Sequence, residues 1–197
     1  MSLIPSFEIG IWNAWIFTAA FFTLLFLPLQ LVPAISKNTT TRSLSTTVPL
    51  SGIEKIIDIL VIVIMVLLVI YSIFLPLQLG TAWFYVGLGV FALAFITGAI
   101  IAVNWLTTPP SEPVTKGIYR YSRHPIYLSQ ALTFIGIGII SASWVFILLS
   151  VVRTISTFII AIPEERFCLE KYGDTYREYM DRTPRWIGIP KSGIIEL

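Results

Sequence analysis

Charged side chains that could form a site flank one long apolar tract of the sequence. Arg123 and the chain's only histidine, His124, stand just before the tract within "GIYRYSRHPIYLSQ", and the pair Glu164 and Glu165 follows it. If both ends of the tract reach the same membrane boundary, cations and carboxylates of adjacent helices meet at one depth. Together they would then form a pocket of charged side chains next to the apolar membrane-spanning region.

The composition is that of an integral membrane protein. Of 197 residues, 56% are hydrophobic and 12% are charged, whereas a soluble domain has about 25% charged residues. The mean hydropathy is +0.84. A net charge of +2 is too small and too scattered to indicate a nucleic-acid-binding surface. The single cysteine, Cys168, can form neither an internal disulfide nor a cysteine-based metal site.

Apolar segments long enough to cross a bilayer, which takes about 20 residues, make up most of the chain. Residues 9–35, 59–79 (with a kink at Pro76) and 84–106 predict three spans. Polar loops are predicted at 36–55 and 107–125. The tract 126–163, interrupted only by Arg153, is either one long span with a tail or two short spans folded back through 136–143.

The distribution of basic residues favours the folded-back alternative. A single span would place the basic cluster at 116–123 on the opposite side from the basic tail, whereas the positive-inside rule places both in the cytoplasm. We therefore predict an all-α integral membrane protein with five transmembrane helices, the last two forming a hairpin. The N-terminus then lies outside, and both polar loops and the C-terminus lie inside.

The tail differs in composition from the rest, because it mixes charges of both signs with aromatic residues. Residues 164–172 should continue the last helix, Gly173 should end it in a left-handed cap, and Asp174 should be the N-cap of the next helix. Tyr176, Tyr179 and Met180 then share one face. This cytosolic amphipathic segment is either an interfacial helix on the headgroups or a lid over a site.

The motif "KGIYRYSRHPIYLS", followed by "PEERFCLEKYGDTYREYMDRTPRWIGIP", resembles the C-terminal half of the isoprenylcysteine carboxyl methyltransferases and the related membrane phospholipid methyltransferases. The shared pattern is G-x-Y, R-H-P-x-Y, a helical hairpin, a glutamate pair and G-x-x-Y-x-x-Y, over roughly residues 110–190. A length near 200 residues predicts a single membrane domain, 1–197, whose three-helix part (1–106) resembles only a generic helix bundle. The resemblance implies that 107–197 is the cofactor-binding part. The implied cofactor is S-adenosylmethionine, with S-adenosylhomocysteine as product, bound at the cytosolic face.

Matching positions carry the family's site onto this chain. The implied cofactor-binding residues are Val114, Thr115, Lys116, Gly117, Tyr119, His124, Pro125, Tyr127 and Glu164. Arg123, Glu165 and Arg153 are predicted to position groups or stabilise charge, and no metal is implied. In one respect the sequence departs from the eukaryotic enzymes, since "IIAIPEER" lacks the arginine that would hold the acceptor carboxylate. Arg153 is the nearest upstream candidate, unless it snorkels to the outer interface.

The predicted function is methyl esterification of a lipophilic acceptor arriving from the bilayer, such as a prenylated cysteine. An ionised carboxylate needs no general base, so positioning should dominate. The runner-up is N-methylation of a lipid amine, for which Glu165 could serve as a base. More distant alternatives are an NADPH-dependent membrane reductase and a non-catalytic scaffold whose terminal charges only set topology.

Overall fold

The described part of the chain is all-helical. The computed structural model describes residues 8–35, 48–109 and 111–191, and only the backbone at 28–35. Its elements are α1 (Trp15–Ile35), α2 (Gly52–Ile73), α3 (Ala82–Thr107), a 3-10 turn (Gly117–Arg120), α4 (Pro125–Ile140), α5 (Trp144–Tyr172) and α6 (Asp174–Arg182). Within these ranges the only β-type pairing is an isolated bridge between Asn13 and Pro76. The predicted all-α class is confirmed.

Three of the helices in the described ranges, α2, α3 and α5, are long and apolar enough to cross a membrane. The segment α4 is apolar but has only 16 residues, fewer than the roughly 20 that span a bilayer. Helices occur at all five predicted positions. The count of five spans and the sidedness of the termini stay predictions.

The apolar tract 126–163 folds back, as the distribution of basic residues predicted. The first helix of the pair, α4, ends at Ile140, and the Ser143 hydroxyl caps α5 by accepting a hydrogen bond from the Phe146 amide at 3.3 Å. The Ser143 amide in turn donates to the Gly138 carbonyl at 2.9 Å. This tight turn makes α4 and α5 antiparallel, so the start of α4 lies beside the end of α5.

Two predicted boundaries were wrong. The second helix is Gly52–Ile73 rather than 59–79, because Pro76 cannot donate to a helical ladder and instead pairs with Asn13. Its start lies earlier because Glu54 accepts a hydrogen bond from the Ser51 amide at 2.7 Å. Residues 36–47 of the predicted polar loop lie outside the described residues.

Small residues bring α3 and α4 close together. A Cβ added at Gly87 would lie 2.5 Å from the Ile140 amide nitrogen, and one at Gly136 would lie 3.0 Å from the Phe91 amide nitrogen. Such close approach of backbones is how helices pack tightly in membranes. Beside this contact, a core of buried aromatic and aliphatic residues joins α1 to α5: Phe21, Leu68, Phe91, Phe134, Ile137 and Phe146.

The tail forms a separate short helix at the end of the bundle where α4 begins, which we call the polar end. Gly173, with φ of +58°, ends α5 and is also the N-cap of α6. Asp174 is therefore the first helical residue of α6 and not its N-cap. A positive φ is easily reached only by glycine, which explains why the chain turns here.

Candidate active site

The two charged pairs that flank the apolar tract meet at the polar end. Pro125 stands at the first position of α4, where its missing amide hydrogen costs nothing, and His124 is the residue before it. His124 Nε2 lies 3.1 Å from Glu165 Oε1, and both side chains are buried. The hairpin thus joins residues that are 41 positions apart.

Aromatic rings and a second carboxylate surround the imidazole of His124. The Tyr127 ring lies parallel to it, with centroids 5.5 Å apart, and the Trp186 ring lies 5.6 Å away. The Tyr127 hydroxyl donates a hydrogen bond to Glu164 Oε1. Glu164 Oε2 faces His124 Nδ1 at 3.8 Å, which is beyond hydrogen-bond distance.

Glu165 is the electrostatic centre of the site. It is 3% exposed, and Arg185 donates to its Oε2 from Nη2 at 2.7 Å and from Nε at 3.1 Å. Arg123 Nη1 lies 3.2 Å from Oε1 as an ion pair. These hydrogen bonds raise the pKa of Arg185 above its ordinary value. A buried carboxylate is costly unless it is paired in this way.

The segment after α6, residues 183–191, passes over the start of α4, and we call it the C-terminal strap. The Arg123 amide donates to the Pro184 carbonyl at 3.1 Å, and the Gly188 amide donates to the Tyr121 carbonyl at 3.1 Å. Arg185 and Trp186 therefore reach the site from the strap. Sequence reasoning missed both, although a basic and an aromatic residue directly after an amphipathic helix were the available signal.

The short helix α6 covers the site at the polar end. Tyr176 and Tyr179 are 5% and 4% exposed, and the Tyr179 hydroxyl donates to the Tyr119 carbonyl at 2.7 Å. Burial raises the pKa of both phenols above the ordinary value, so they remain neutral. Because these side chains dock onto the bundle, α6 fits the lid alternative better than a helix lying only on headgroups.

A pocket, here the charged pocket, opens between these elements. Its lining residues are Trp105, Pro113, Val114, Tyr119, Arg123, His124, Ile126, Glu164, Cys168, Tyr172, Tyr176 and Tyr179. Its empty space, including the open mouth, is about 580 Å³, within the range of small-molecule sites. Four residues of the implied cofactor set lie here, namely Val114, Tyr119, His124 and Glu164.

The other members of that set lie around the charged pocket rather than in its lining. Thr115 and the exposed Lys116 precede Gly117, whose φ is +60° and which packs against the Asn104 side chain. Pro125 lines a separate apolar pocket with Leu128 and Leu132. Tyr127 reaches the site through its hydrogen bond to Glu164.

A second pocket adjoins the charged pocket, and we call it the side pocket. The two share four lining residues, Trp105, Glu164, Cys168 and Tyr172, and the side pocket adds Val48, Phe167 and Lys171. Glu164, whose side chain is 35% exposed, therefore stands where the two cavities meet.

Arg153, in the middle of α5, is buried against α4. It is 4% exposed, and its Nη2 donates to Gln130 Oε1 at 2.8 Å. Its guanidinium lies 5.2 Å from the centroid of the Phe134 ring. Gln130 is about one helical turn further into the bundle than Tyr127. The guanidinium therefore lies inside the bundle, which favours the acceptor-binding alternative over snorkelling to the outer interface.

Comparisons with known proteins point to one enzyme class. The family described as phospholipid methyltransferase matches residues 61–175, more than half of the chain. Methanethiol S-methyltransferase 1 of Bradyrhizobium diazoefficiens is 33% identical over 92 residues, which cover 47% of this chain. The matched part is 30% of that relative's length.

Proposed function

Because the chain belongs to the phospholipid methyltransferase family, we propose that it is an S-adenosylmethionine-dependent membrane methyltransferase that esterifies the carboxylate of a lipophilic acceptor. A prenylated C-terminal cysteine is the example of such an acceptor that the sequence motifs imply. The observation that carries the proposal is the convergence of Arg123, His124 and Glu164 on one aromatic pocket at the polar end. We predict that this end faces the cytosol.

The residues of the charged pocket fit the chemical groups of the proposed cofactor. Within the described ranges, Arg123 Nε is buried without a hydrogen-bond acceptor, and Nη1 contacts Glu165 Oε1 only as an ion pair. This guanidinium could therefore bind the carboxylate of the amino-acid end of the cofactor. The 3.8 Å gap between His124 Nδ1 and Glu164 Oε2 could receive its ammonium. The rings of Trp105, Tyr172 and Tyr176 offer flat surfaces for an adenine.

The reaction mainly requires the protein to position the reactants and to exclude water. The cofactor supplies an electrophilic methyl group on a positively charged sulfur, and an ionised carboxylate attacks it without a general base. Glu164, at the junction of the charged and side pockets, would hold the two reactants in line. The docked α6, with Tyr176 and Tyr179 buried, would exclude water from the reacting atoms.

An anionic acceptor is favoured by Arg153. Its hydrogen-bond partner Gln130 is neutral, and among the described residues no carboxylate forms an ion pair with its guanidinium. The positive charge of Arg153, about one helical turn further into the bundle than Tyr127, would balance the charge of an acceptor carboxylate. The same charge would repel a protonated lipid amine. Moreover, Glu165 already accepts hydrogen bonds from Arg185, so it is poorly placed to act as the base that an amine acceptor needs.

A thiol is the second candidate acceptor, because the chain is similar to a methanethiol S-methyltransferase. A thiolate is also an anion and would be attracted by Arg153 in the same way. Product chemistry separates the two, since a carboxyl methyl ester is cleaved by mild base and a methyl thioether is not.

The proposal is tested first by cofactor binding to the detergent-purified protein. We expect saturable calorimetric binding of S-adenosylhomocysteine that Glu164→Gln weakens at least about tenfold. Glu170→Gln, an exposed glutamate of the same helix, is the matched control and should bind normally. NADPH should give no heat. Absence of S-adenosylhomocysteine binding by folded protein would rule the cofactor out.

The acceptor is then identified with methyl-labelled cofactor. Farnesylated cysteine should yield a labelled product that releases methanol in base. A base-stable product formed only with thiols or amines would replace the carboxylate by that acceptor.

A further inference from the structure

We propose that Glu165, held by Arg185, fixes the tautomer of His124, with the proton on Nε2 and a bare Nδ1 facing the charged pocket. Arg185 and Trp186 of the C-terminal strap are then positioning residues for the site. The tautomer follows from the geometry alone. Its effect on cofactor binding rests on the proposed function above.

The orientation of the imidazole is set from several sides. The parallel Tyr127 ring and the Trp186 ring fix its plane, and Trp186 is itself held by the Phe158 ring, with centroids 4.0 Å apart. The backbone amide of His124 donates to the Ser122 hydroxyl at 3.1 Å. With Nε2 aimed at Glu165 Oε1, Nδ1 has one possible direction, toward Glu164.

The proton between His124 and Glu165 belongs to the histidine. Glu165 faces the guanidinium groups of Arg185 and Arg123, which can only donate hydrogen bonds. An ionised carboxylate can only accept them, and these two cations oppose its protonation. The hydrogen in the 3.1 Å contact must therefore be carried by Nε2.

The other ring nitrogen, Nδ1, has no hydrogen-bond acceptor among the described residues. At 3.8 Å, Glu164 is too far to accept a hydrogen bond from Nδ1. Nδ1 thus stays an acceptor, and a ligand with several N–H donors, such as an ammonium, could bridge it to Glu164.

The C-terminal strap supplies the arginine that holds Glu165 in place, which neither α4 nor α5 provides. Arg185 contacts both oxygens of Glu165, a fork geometry that a lysine cannot reproduce. The Ser122 hydroxyl also donates to the Arg185 carbonyl at 3.4 Å, which ties the strap to the residues just before His124. The site is therefore completed by residues that follow the last helix.

Because His124 is the only histidine, nitrogen NMR of isotope-labelled histidine reports it without assignment ambiguity. At neutral pH and without any ligand, we expect a protonated Nε2 and an unprotonated Nδ1. A proton on Nδ1, alone or together with one on Nε2, would overturn the proposal.

Variants in the strap test the positioning role. Arg185→Gln should mix the tautomers in the folded protein and weaken S-adenosylhomocysteine binding about tenfold, and Arg185→Lys should recover part of both. If Arg185→Gln does not fold, Arg185→Lys alone is used to test the positioning role. Arg182→Gln, whose wild-type side chain donates to the Glu178 carbonyl of its own helix, is the matched control and should change neither.

These experiments distinguish a failure of the positioning role from a failure of the proposed cofactor. If Arg185→Gln lowers the melting temperature but leaves the wild-type imidazole signals, Arg185 is purely structural and the positioning role is refuted. If the wild-type tautomer is found as expected but S-adenosylhomocysteine does not bind, the proposed cofactor is wrong while the tautomer stands.

Discussion

The Nε2 atom of His124 lies 3.1 Å from the Oε1 atom of Glu165, across 41 positions of sequence. The contact exists because α4 and α5 fold back at residues 141–143, so that each helix presents one end to the other. It also couples the fold to the site, since changes in helix packing far from the charges should alter this contact. The first prediction concerns that packing.

Gly87 should be intolerant of any side chain. A Cβ there would lie 2.5 Å from the Ile140 amide nitrogen and 2.8 Å from the Gly136 carbonyl oxygen, so α3 and α4 would have to separate. We expect Gly87→Ala to destabilise the protein by about 1–3 kcal/mol, the usual cost of overpacking, measured by thermal unfolding in detergent. Gly89→Ala meets nothing within 4 Å and should be neutral or stabilising. Equal melting temperatures for the two variants would contradict the close contact.

Tyr127→Phe should impair the site without disturbing the fold. The substitution keeps the ring parallel to His124 but removes the hydroxyl that donates to Glu164. Loss of a hydrogen bond to a charged group should weaken S-adenosylhomocysteine binding about tenfold, with little change in melting temperature. Tyr85→Phe, at an exposed position, is the control. Unchanged binding would show that Glu164 does not need this hydroxyl.

The sequence predicts the site to the extent that helix periodicity and charge placement determine it. Once the tract 126–163 is taken as a hairpin, His124 and Glu164 must approach each other, and that prediction needs no knowledge of side-chain contacts. The helix start at Pro125 is equally local, because proline favours the first turn.

Contacts made by irregular segments could not be predicted in this way. Arg185 and Trp186 stand in a strap whose path is set by hydrogen bonds to the chain before α4, and no periodicity indicates such a path. The direction of Arg153 is a similar case. A charged residue inside an apolar span suggests a function, but only the packed structure shows that the guanidinium lies against Phe134 and Gln130.

Docking of α6 should weaken in alkali. Burial raises the pKa of Tyr176 and Tyr179 above the ordinary value, which is about 10 in an unfolded chain. Above that pH the undocked state loses its phenol protons first and therefore binds fewer protons than the docked state, so stability falls as pH rises. We expect faster proteolysis within α6 above about pH 10. The Tyr176→Phe, Tyr179→Phe double variant should show a shallower pH dependence, and an unchanged dependence would exclude these phenols as its cause.

Gln130→Glu should separate acceptor recognition from cofactor binding. A carboxylate at this position would form an ion pair with Arg153, whose Nη2 now donates to the neutral Gln130 Oε1 at 2.8 Å. The positive charge proposed to attract the acceptor would then be cancelled by the protein itself. We expect the KM for a carboxylate acceptor to rise about tenfold, while S-adenosylhomocysteine binding stays unchanged.

The isosteric change makes the Gln130→Glu experiment a strict test of the charge on Arg153. Thr97→Ser, which retains a hydroxyl near α4 but leaves Arg153 untouched, is the control for general packing effects. Methyl transfer is measured at several acceptor concentrations, so that KM and kcat are obtained separately. A fall in kcat with an unaltered KM would mean that Arg153 does not attract the acceptor, and a loss of cofactor binding would place its influence in the charged pocket instead.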